Sequence, residues 1–217
     1  LHIEAHSFPT RRSSDLYREQ LKGRILQSAM HEFRTNGIKQ VKMDDIARKL
    51  GISKRTLYEI YGNKEDLLME GIKRDEEIFN RHMEMFITEH HGTLMDIFAE
   101  YYRYELEQFK YTSLNFFIDL QRYPRVLTYL DELHKARNRK GISFFNRGVE
   151  EGYFRQDVDY ELVEQVCSAS MRHVMDNQLF HKYSMQHILY NVVFLFMRGL
   201  CTEQGLHVLE EKLKLFK

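Results

Sequence analysis

The chain has 217 residues, a length that suits one compact unit or a small domain joined to a larger one. It contains only two prolines, which favours long helices, and its two cysteines, Cys167 and Cys201, are too few for a disulfide framework. The longest apolar run, residues 192–197, is far too short to cross a bilayer. The sequence therefore argues against a membrane protein and favours a soluble cytoplasmic one.

The formal net charge is zero, but the charges are unevenly distributed. Residues 17–66 contain 11 Lys and Arg against 7 Asp and Glu, whereas residues 67–217 contain 19 against 23. Only the N-terminal part has the sign that displaces counterions from phosphates, so any nucleic-acid contact is expected there. Solvated helix faces produce imbalances of this size by chance, so the support is modest.

Residues 1–16 differ from the remainder of the chain. Residues 8–16, FPTRRSSDL, resemble the in-frame translation of a widely used sequencing-library adapter, and residues 1–7 have no apolar period. We interpret residues 1–16 as a non-native leader and exclude them from fold reasoning. The alternative is a natural basic arm that reaches a minor groove through Arg11 and Arg12.

The first predicted helix covers residues 18–36 and ends at Gly37. Two short helices, residues 44–50 and 54–61, are predicted next, joined by a tight turn at Gly51. Ser53 is expected to cap the second of these helices through its hydroxyl. A long fourth helix is predicted from its N-cap at Asn63 towards residue 90. The apolar faces of the first three helices contain Leu21, Ile25, Ala29, Phe33, Ile46, Ala47, Leu50, Leu57, Ile60 and Tyr61.

This pattern leaves polar side chains at the exposed start of the third helix, as in a recognition helix that enters the major groove of DNA. A plain packing hairpin is an equal alternative from spacing alone. The segment 24–68 carries further matching positions: Ile25, Ala29, Phe33, Gly37, Ile46, Ala47, Gly51, Ser53, Thr56, Leu57, Tyr58, Tyr61, Lys64 and Leu68. With these residues, about a fifth of the chain resembles the signature of the TetR family of transcriptional regulators.

The resemblance implies an all-α fold, with an N-terminal three-helix helix-turn-helix DNA-binding head at residues 17–66. A larger helical C-terminal domain for effector binding and dimerisation would follow at residues 67–217. In the head, Arg55 is the best candidate for a bidentate contact to guanine, and Tyr58 matches a phosphate-contacting tyrosine. Lys64 would grip a phosphate together with the N–H groups that begin the fourth helix. The predicted DNA-contacting set is Lys42, Ser53, Lys54, Arg55, Thr56, Tyr58 and Lys64.

For each cation the alternative is a solvated side chain, and for Tyr58 a half-buried aromatic. The sequence also departs from the family pattern at several positions. Val41 and Lys42 replace a small hydroxyl pair, so Lys42 is expected to contact phosphate instead of capping. Arg55 stands where glycine is frequent, and Ile60 replaces a common histidine. These departures bear on the operator sequence and not on the mode of binding.

Residues 94–110, 113–122, 124–151, 159–182 and 185–203 are also predicted helices, and Gly205 is expected to separate a final short amphipathic segment. In the family the region of the first two of these helices helps to line a cavity for an apolar or amphipathic effector, and an aromatic core is the alternative. Met171, His173 and Met175 are possible further contributors from another helix. The aromatic residues concentrated in the first two are Phe98, Tyr101, Tyr102, Tyr104, Phe109, Tyr111, Phe116 and Phe117.

The resemblance places a dimer interface on predicted helices 159–182 and 185–203. The second has an apolar surface too broad for one buried stripe, and burial within the monomer is the alternative. A two-fold homodimer would present recognition helices about 34 Å apart to a near-palindromic operator. The residues of that surface are Ile188, Leu189, Val192, Val193, Leu195, Phe196 and Leu200.

Metal and catalytic chemistry find little support. The histidines His90, His91, His173, His181 and His187 include no pair spaced to place two ligands on one helical face. The carboxylates Glu105, Glu107 and Asp119 are interpreted as solvated surface, and no catalytic motif is present, so neither an enzyme nor a cofactor is predicted. The predicted function is a DNA-binding repressor released by a small-molecule effector. The alternatives are an activator or architectural protein with the same head, or a helical enzyme or adaptor.

Overall fold

The computed structural model describes residues 11–89 and 92–216, and it confirms the all-α prediction. None of the helices in these two ranges combines the length and the apolar character that a bilayer-crossing segment needs. Short 3₁₀ turns occur at Leu179–His181 and Lys214–Phe216. The helices are α1 (Arg11–Asn36), α2 (Met43–Leu50), α3 (Lys54–Ile60), α4 (Lys64–Glu89), α5 (Leu94–Lys110), α6 (Leu114–Leu120), α7 (Pro124–Glu150), α8 (Tyr160–Asp176), α9 (Met185–Asn191), α10 (Val193–Leu200) and α11 (Glu203–Leu213).

The local signals predicted for the N-terminal helices have the expected geometry. Gly51 adopts φ 66° at the end of α2, and its N–H bonds to carbonyl groups of the last helical turn. The Ser53 hydroxyl accepts a hydrogen bond from Thr56 N and so caps α3. Asn63 caps α4 in the same way, because its side-chain oxygen accepts from Asp66 N at 2.9 Å.

Helix α1 begins at Arg11, earlier than the predicted start at residue 18. The last part of the interpreted leader therefore continues α1, whereas residues 1–10 lie outside the described part of the chain. The predicted domain boundary between residues 66 and 67 falls in the first turn of α4, which runs unbroken through it. The division into residues 17–66 and 67–217 remains a proposal.

Three predictions for the C-terminal helices need correction. Helix α8 ends at Asp176, because Gln178 adopts a left-handed φ of 52° and a 3₁₀ turn follows. The predicted helix 185–203 is divided into α9 and α10 at Val192. Gly205 does not separate elements but lies inside α11, where a Cβ would collide with the carbonyl oxygen of Tyr153. The true break is at Cys201, which forms an isolated antiparallel bridge with Phe154.

The buried apolar residues form two main clusters. The first joins α1 to α4 with residues of α6 and α7, so that Phe116 and Val126 share a core with Ile25 and Phe33. The second lies between α5 and α8 to α11 and includes Phe154 and Phe194. Because the first cluster crosses from the N-terminal helices to α6, the orientation of those helices depends on α6.

The three carboxylates interpreted as solvated surface differ in their surroundings. Glu107 is partly exposed and pairs with Lys110 at 3.0 Å, close to what was expected. Glu105 lies beside Arg137, and burial raises the pKa of its carboxyl group. Asp119 is buried, with 7% of its surface exposed, and it accepts a hydrogen bond from Lys39 N. The surface interpretation was therefore wrong for Asp119, whose carboxylate compensates for burial by binding a backbone donor.

Candidate nucleic-acid interface

Helix α3 is fixed from behind by apolar packing. Leu57 is fully buried and belongs to the same core as Ile46 and Ala47 of α2. Tyr61, at the C-terminal end of α3, is also largely buried, and its hydroxyl donates to Lys22 O of α1 at 3.4 Å. The helix therefore presents its outer face from a rigid support.

The outer face of α3 carries the predicted cations. The Arg55 side chain is 87% exposed and the Lys54 side chain 66%. Tyr58, one turn further along, is 47% exposed. These three side chains thus project away from the core at the end of α3 that a recognition helix directs into DNA.

Lys54 and Arg55 both have carboxylate partners within the N-terminal helices. Lys54 pairs with Asp44 of α2, and Arg55 Nε donates to Glu59 Oε1 at 2.8 Å. The hydrogen bond and charge of Glu59 raise the pKa of the Arg55 guanidinium, which stays protonated. The bond to Glu59 uses Nε, whereas bidentate contact to guanine uses the two terminal amino groups.

The two hydroxyls of the predicted set hold the start of α3 in place. Ser53 Oγ accepts from Thr56 N at 3.0 Å and lies 2.8 Å from Thr56 Oγ1. Lys42 is exposed at the N-cap of α2, and its side chain makes no capping hydrogen bond, as the sequence predicted. Asp44 and Asp45 instead provide negative charge in the first turn of α2, which suits the helix dipole.

Lys64 is directed towards the protein backbone. Its ammonium group donates to Ile38 O at 2.8 Å and to Val41 O at 2.7 Å, both in the connection between α1 and α2. Burial lowers the pKa of Lys64, and the nearby Asp119 carboxylate opposes that effect. The structure thus assembles the other six predicted residues around the start of α2 and α3 and gives Lys64 a different environment. Its phosphate contact stays a prediction.

A cavity of about 310 Å³ lies in the C-terminal part of the molecule. Of the aromatic residues predicted to line it, Phe109 and Phe117 do so, and so does Met175. Phe98 lies instead in the second core, and Tyr111 is exposed. The other lining residues are Arg103, Leu106, Glu107, Lys110, Thr112, Leu114, Phe180, Ser184, Met185, Gln186 and Phe216.

The sequence missed Phe180 and Phe216 as lining residues. Phe180 reaches the cavity from the 3₁₀ turn that follows Gln178, and Phe216 reaches it from the turn after α11. Helical periodicity does not predict that either residue lines the cavity, because both lie in short turns whose location depends on tertiary packing. Two remaining aromatic residues of the predicted set, Tyr101 and Tyr104, pack edge-on against Phe79 at 5.4 Å and 5.2 Å between ring centroids.

Helices α8 and α10, in the region of the predicted interface, each carry exposed apolar side chains. Leu162 and Val166 of α8 are exposed, and Leu195 of α10 is 63% exposed. Other residues of the predicted interface, including Ile188 and Val193, are buried within the chain. For those residues the alternative of burial within the monomer is correct. The exposed apolar residues that remain for the proposed interface in this region are Leu162, Val166 and Leu195.

Within residues 11–89 and 92–216, no three His, Cys, Asp or Glu side chains are grouped as metal ligands would be. His90 and His91, which the sequence suggested as weak metal candidates, lie outside those ranges. Cys167 and Cys201 are both free thiols, and burial raises the pKa of Cys201 to about 11. That pKa makes the Cys201 thiolate scarce at neutral pH.

A capped helix braced by buried Leu57, with exposed cations at its N-terminal end, defines a helix-turn-helix DNA-binding protein. Residues 25–70 match the family model described as bacterial regulatory proteins, tetR family. This match makes residues 25–70 a DNA-binding segment of the TetR type, and the TetR family consists of transcriptional regulators.

Known relatives extend the likeness beyond the head. The HTH-type transcriptional repressor KstR2 of Mycobacterium tuberculosis is 26% identical over 152 residues, which cover 65% of this chain and 73% of KstR2. A transcriptional regulator from Saccharomonospora viridis, solved with choline, superposes with TM-score 0.68 at 16% identity and covers 85% of this chain and 100% of its own. FadR of Bacillus subtilis, solved with stearoyl-CoA, gives TM-score 0.59 at 18% identity, covering 82% and 97%. At these identities the two solved structures establish the fold alone.

Proposed function

We propose that this chain is a repressor that binds a near-palindromic operator as a homodimer and leaves it when a small-molecule effector binds. The observation that carries the proposal is the recognition tip, in which exposed Lys54, Arg55 and Tyr58 stand on a helix anchored by buried Leu57. A surface hairpin that only packed against its neighbours would have no need to direct two cations outward from a capped helix start.

The proposed contacts divide into two kinds. Arg55 reads a base edge through its terminal amino groups, and Lys54, Thr56 and Ser53 contact nearby bases or phosphates. Lys42 and Tyr58 contact the phosphate backbone on either side and hold the helix in register. Because Lys54 and Arg55 are paired with carboxylates in the ligand-free chain, DNA replaces those partners with phosphates and base acceptors.

Dimerisation is supported by the exposed face of α8 and α10. A face that exposes Leu162, Val166 and Leu195 leaves apolar surface in water, and a second copy would cover it. An interface made by the same face on both subunits is isologous and generates two-fold symmetry. Two recognition helices related by such an axis match two half-sites about one helical turn apart.

Effector release is supported by the cavity and by the relatives. The cavity has an apolar interior that includes Phe109, Phe117 and Phe180, while Arg103, Glu107 and Lys110 bring polar groups to its lining. That combination suits an apolar or amphipathic small molecule. KstR2 is a repressor, and two structural relatives were solved with choline and with stearoyl-CoA. By linkage, the effector weakens DNA binding as far as it prefers the non-binding conformation.

Selection of duplexes from a random pool by the purified full-length chain tests the DNA-binding proposal. We expect enrichment of an inverted repeat, with one dimer bound to each duplex in native mass spectrometry. Enrichment of a single half-site bound by one chain would refute the dimer, and failure to enrich any sequence would refute specific DNA binding.

The enriched duplex then allows the effector proposal to be tested with choline and with stearoyl-CoA as probes. We expect a ligand that occupies the cavity to release the chain from the duplex and to raise its melting temperature. Replacement of Phe117 by Trp at the cavity wall should reduce both effects together. Binding of a probe that leaves DNA affinity unchanged would favour an architectural role for the same head.

A further inference from the structure

Side chains from two different helices form hydrogen bonds with the connection between α1 and α2, residues 37–42. From α6, Asp119 Oδ2 accepts a hydrogen bond from Lys39 N at 2.7 Å. From α4, Lys64 Nζ donates to Ile38 O at 2.8 Å and to Val41 O at 2.7 Å. Three parts of this connection are therefore held by two side chains that belong to different helices.

The contact between Asp119 and the connection depends on how closely α6 packs against Gly37. Asp119 is 7% exposed, and a Cβ on Gly37 would lie 2.8 Å from Asn115 Cβ and 3.0 Å from Asp119 Oδ2. Gly37 also adopts φ 86°, so α6 approaches the connection at the one residue that allows both the conformation and the contact. At the other end of α6, Ser113 N donates to Arg34 O at 2.7 Å.

Helix α6 also forms part of the cavity wall. Leu114 and Phe117 line the cavity, whereas Phe116 and Leu120 pack into the core of the N-terminal helices. The helix contains only 7 residues, so it cannot bend enough to separate these two faces. A displacement at the cavity wall must therefore reach Asp119.

We propose that Asp119 and Lys64 are positioning residues for DNA binding, which together fix the α1–α2 connection and with it the placement of α2 and α3. This inference rests on the proposed function, since it concerns how the recognition helix is held for the operator. Asp119 connects that placement to the cavity through α6, and Lys64 connects it to α4. Neither residue needs to contact DNA for this role.

The hydrogen bond between Asp119 and Lys39 N makes the α1–α2 connection sensitive to small shifts of α6. A shift of α6 by about 1 Å would extend the bond between Asp119 and Lys39 N beyond hydrogen-bonding distance. The backbone N–H of Lys39 would then lose its charged acceptor, and hydrogen bonds to charged groups contribute more than neutral ones. The connection would move to recover a partner, and α2 begins directly after it.

The test uses Asp119→Ala, Asp119→Asn and Lys64→Met in the full-length chain, with the duplex enriched by the wild-type chain as probe. Matched controls are Asp131→Asn on α7 and Lys73→Met on α4, which both alter exposed ion pairs. Melting temperatures establish that each variant is folded. DNA affinity and amide hydrogen exchange at Lys39 in the DNA-free protein are the two readouts.

The sign of the Asp119→Ala effect is decisive. Removing a negative charge from a DNA-binding protein favours DNA binding through electrostatics alone. The positioning role predicts the opposite, a loss of affinity of about tenfold or more together with faster exchange at Lys39. Asp119→Asn keeps an oxygen acceptor and should recover most of the DNA affinity and most of the protection from exchange at Lys39. Asp131→Asn should leave the DNA affinity unchanged or slightly higher.

The double variant Asp119→Ala/Lys64→Met separates positioning from a phosphate contact by Lys64. If both residues act through the connection, the two losses are not additive. An additive loss, with a salt slope reduced by about one only in Lys64→Met and not in Lys73→Met, would overturn the role of Lys64. Tighter or unchanged binding by folded Asp119→Ala would overturn the whole inference while leaving the proposed function intact. A wild-type chain that enriches no duplex would instead refute the proposed function and this inference with it.

Discussion

At the scale of single residues, the head combines local rules with a few chain-specific choices. The Arg55 side chain is 87% exposed, and its guanidinium pairs with Glu59 on the surface of α3. At Gly37 the absence of a side chain is what matters, because both its φ of 86° and its contact with α6 require that there is no Cβ. Each situation leads to a separate prediction.

Replacement of Arg55 by Ala should remove discrimination at one operator position, with a cost of about 1–3 kcal/mol for the preferred base. Binding to unrelated sequences should change much less, since the phosphate contacts remain. Competition binding with single-base variants of the enriched duplex measures this difference. Arg147→Ala, which changes another exposed Arg–Glu pair far along the chain, is the control. Equal weakening at all positions would show that Arg55 contacts phosphate and not a base.

Replacement of Gly37 by Ala should destabilise the fold by about 1–3 kcal/mol, because alanine is strained at this φ and its Cβ collides with α6. Gly141→Ala is the natural comparison. Gly141 lies inside α7, and a Cβ added there would meet nothing within 4 Å, so alanine should stabilise the helix by up to about 1 kcal/mol. Urea unfolding of both variants measures the contrast, and a loss of stability in each would contradict it.

At the scale of elements, the sequence predicts what local chemistry decides. The Ser53 cap, the left-handed Gly51 and the buried Leu57 are all readable within one or two helical turns. The end of α8 at Asp176 is not readable in this way, since the left-handed conformation that follows is adopted by Gln178 and not by a glycine. The prediction of a break at Gly205 fails for a related reason. Glycine is needed there because the Tyr153 backbone approaches closely, and not because a helix ends.

The candidate sites show the same division. The outward direction of Arg55 follows from helical spacing relative to buried Leu57, which the sequence displays directly. The partner of Asp119 is Lys39, 80 positions earlier in the chain, and a single carboxylate in a short helix gives no sign of such a contact. Lys64 was predictable as a cation beside the head but not as a donor to the carbonyl groups of the α1–α2 connection.

Helix α7 contributes a pH-dependent element. Desolvation by the surrounding side chains lowers the pKa of the His134 imidazole, although the residue keeps an exposed surface, and the positive charge of Arg137 lowers the pKa further. Since the folded-state pKa lies below the unfolded value, the neutral imidazole favours folding above about pH 6.5, and this contribution is lost as the pH falls through the folded-state pKa. His134→Gln should therefore make the free energy of unfolding less dependent on pH between neutral and mildly acidic conditions.

Urea unfolding at a series of pH values measures this dependence. His207→Gln, at an exposed position of α11, is the control and should retain the wild-type profile. If the His134 variant has the same pH profile as the wild type, the His134 imidazole does not titrate as stated.

At the scale of the whole molecule, three parts are connected through α6: the DNA-binding head, the cavity and the first hydrophobic core. The residues of the proposed dimer face, Leu162, Val166 and Leu195, belong to none of these three parts. Dimerisation can therefore be disturbed without altering the head itself. This separation provides a direct test of whether the operator is read by two subunits.

Replacement of Leu195 by Glu should place a charge in the proposed interface and shift the chain to monomer. Affinity for the full inverted repeat should fall by about tenfold or more, towards that for a single half-site, because the second contact is no longer tethered. Analytical ultracentrifugation and titration of both duplexes measure the two effects. Leu206→Glu on α11 is the control at another exposed leucine. A Leu195 variant that remains dimeric would locate the interface elsewhere.

If Lys54 and Arg55 contact DNA as proposed, the carboxylates beside the recognition tip would also influence how the chain searches a genome. Asp44 and Glu59 act as internal counterions for Lys54 and Arg55, so a random stretch of duplex must compete with them for the same two cations. Indifferent sequences offer only phosphates in exchange, and the net gain is small. A matching sequence adds base acceptors that the carboxylates cannot imitate. On the proposed contacts, the two ion pairs would shorten unproductive encounters and increase the difference in affinity between a correct site and the many incorrect ones.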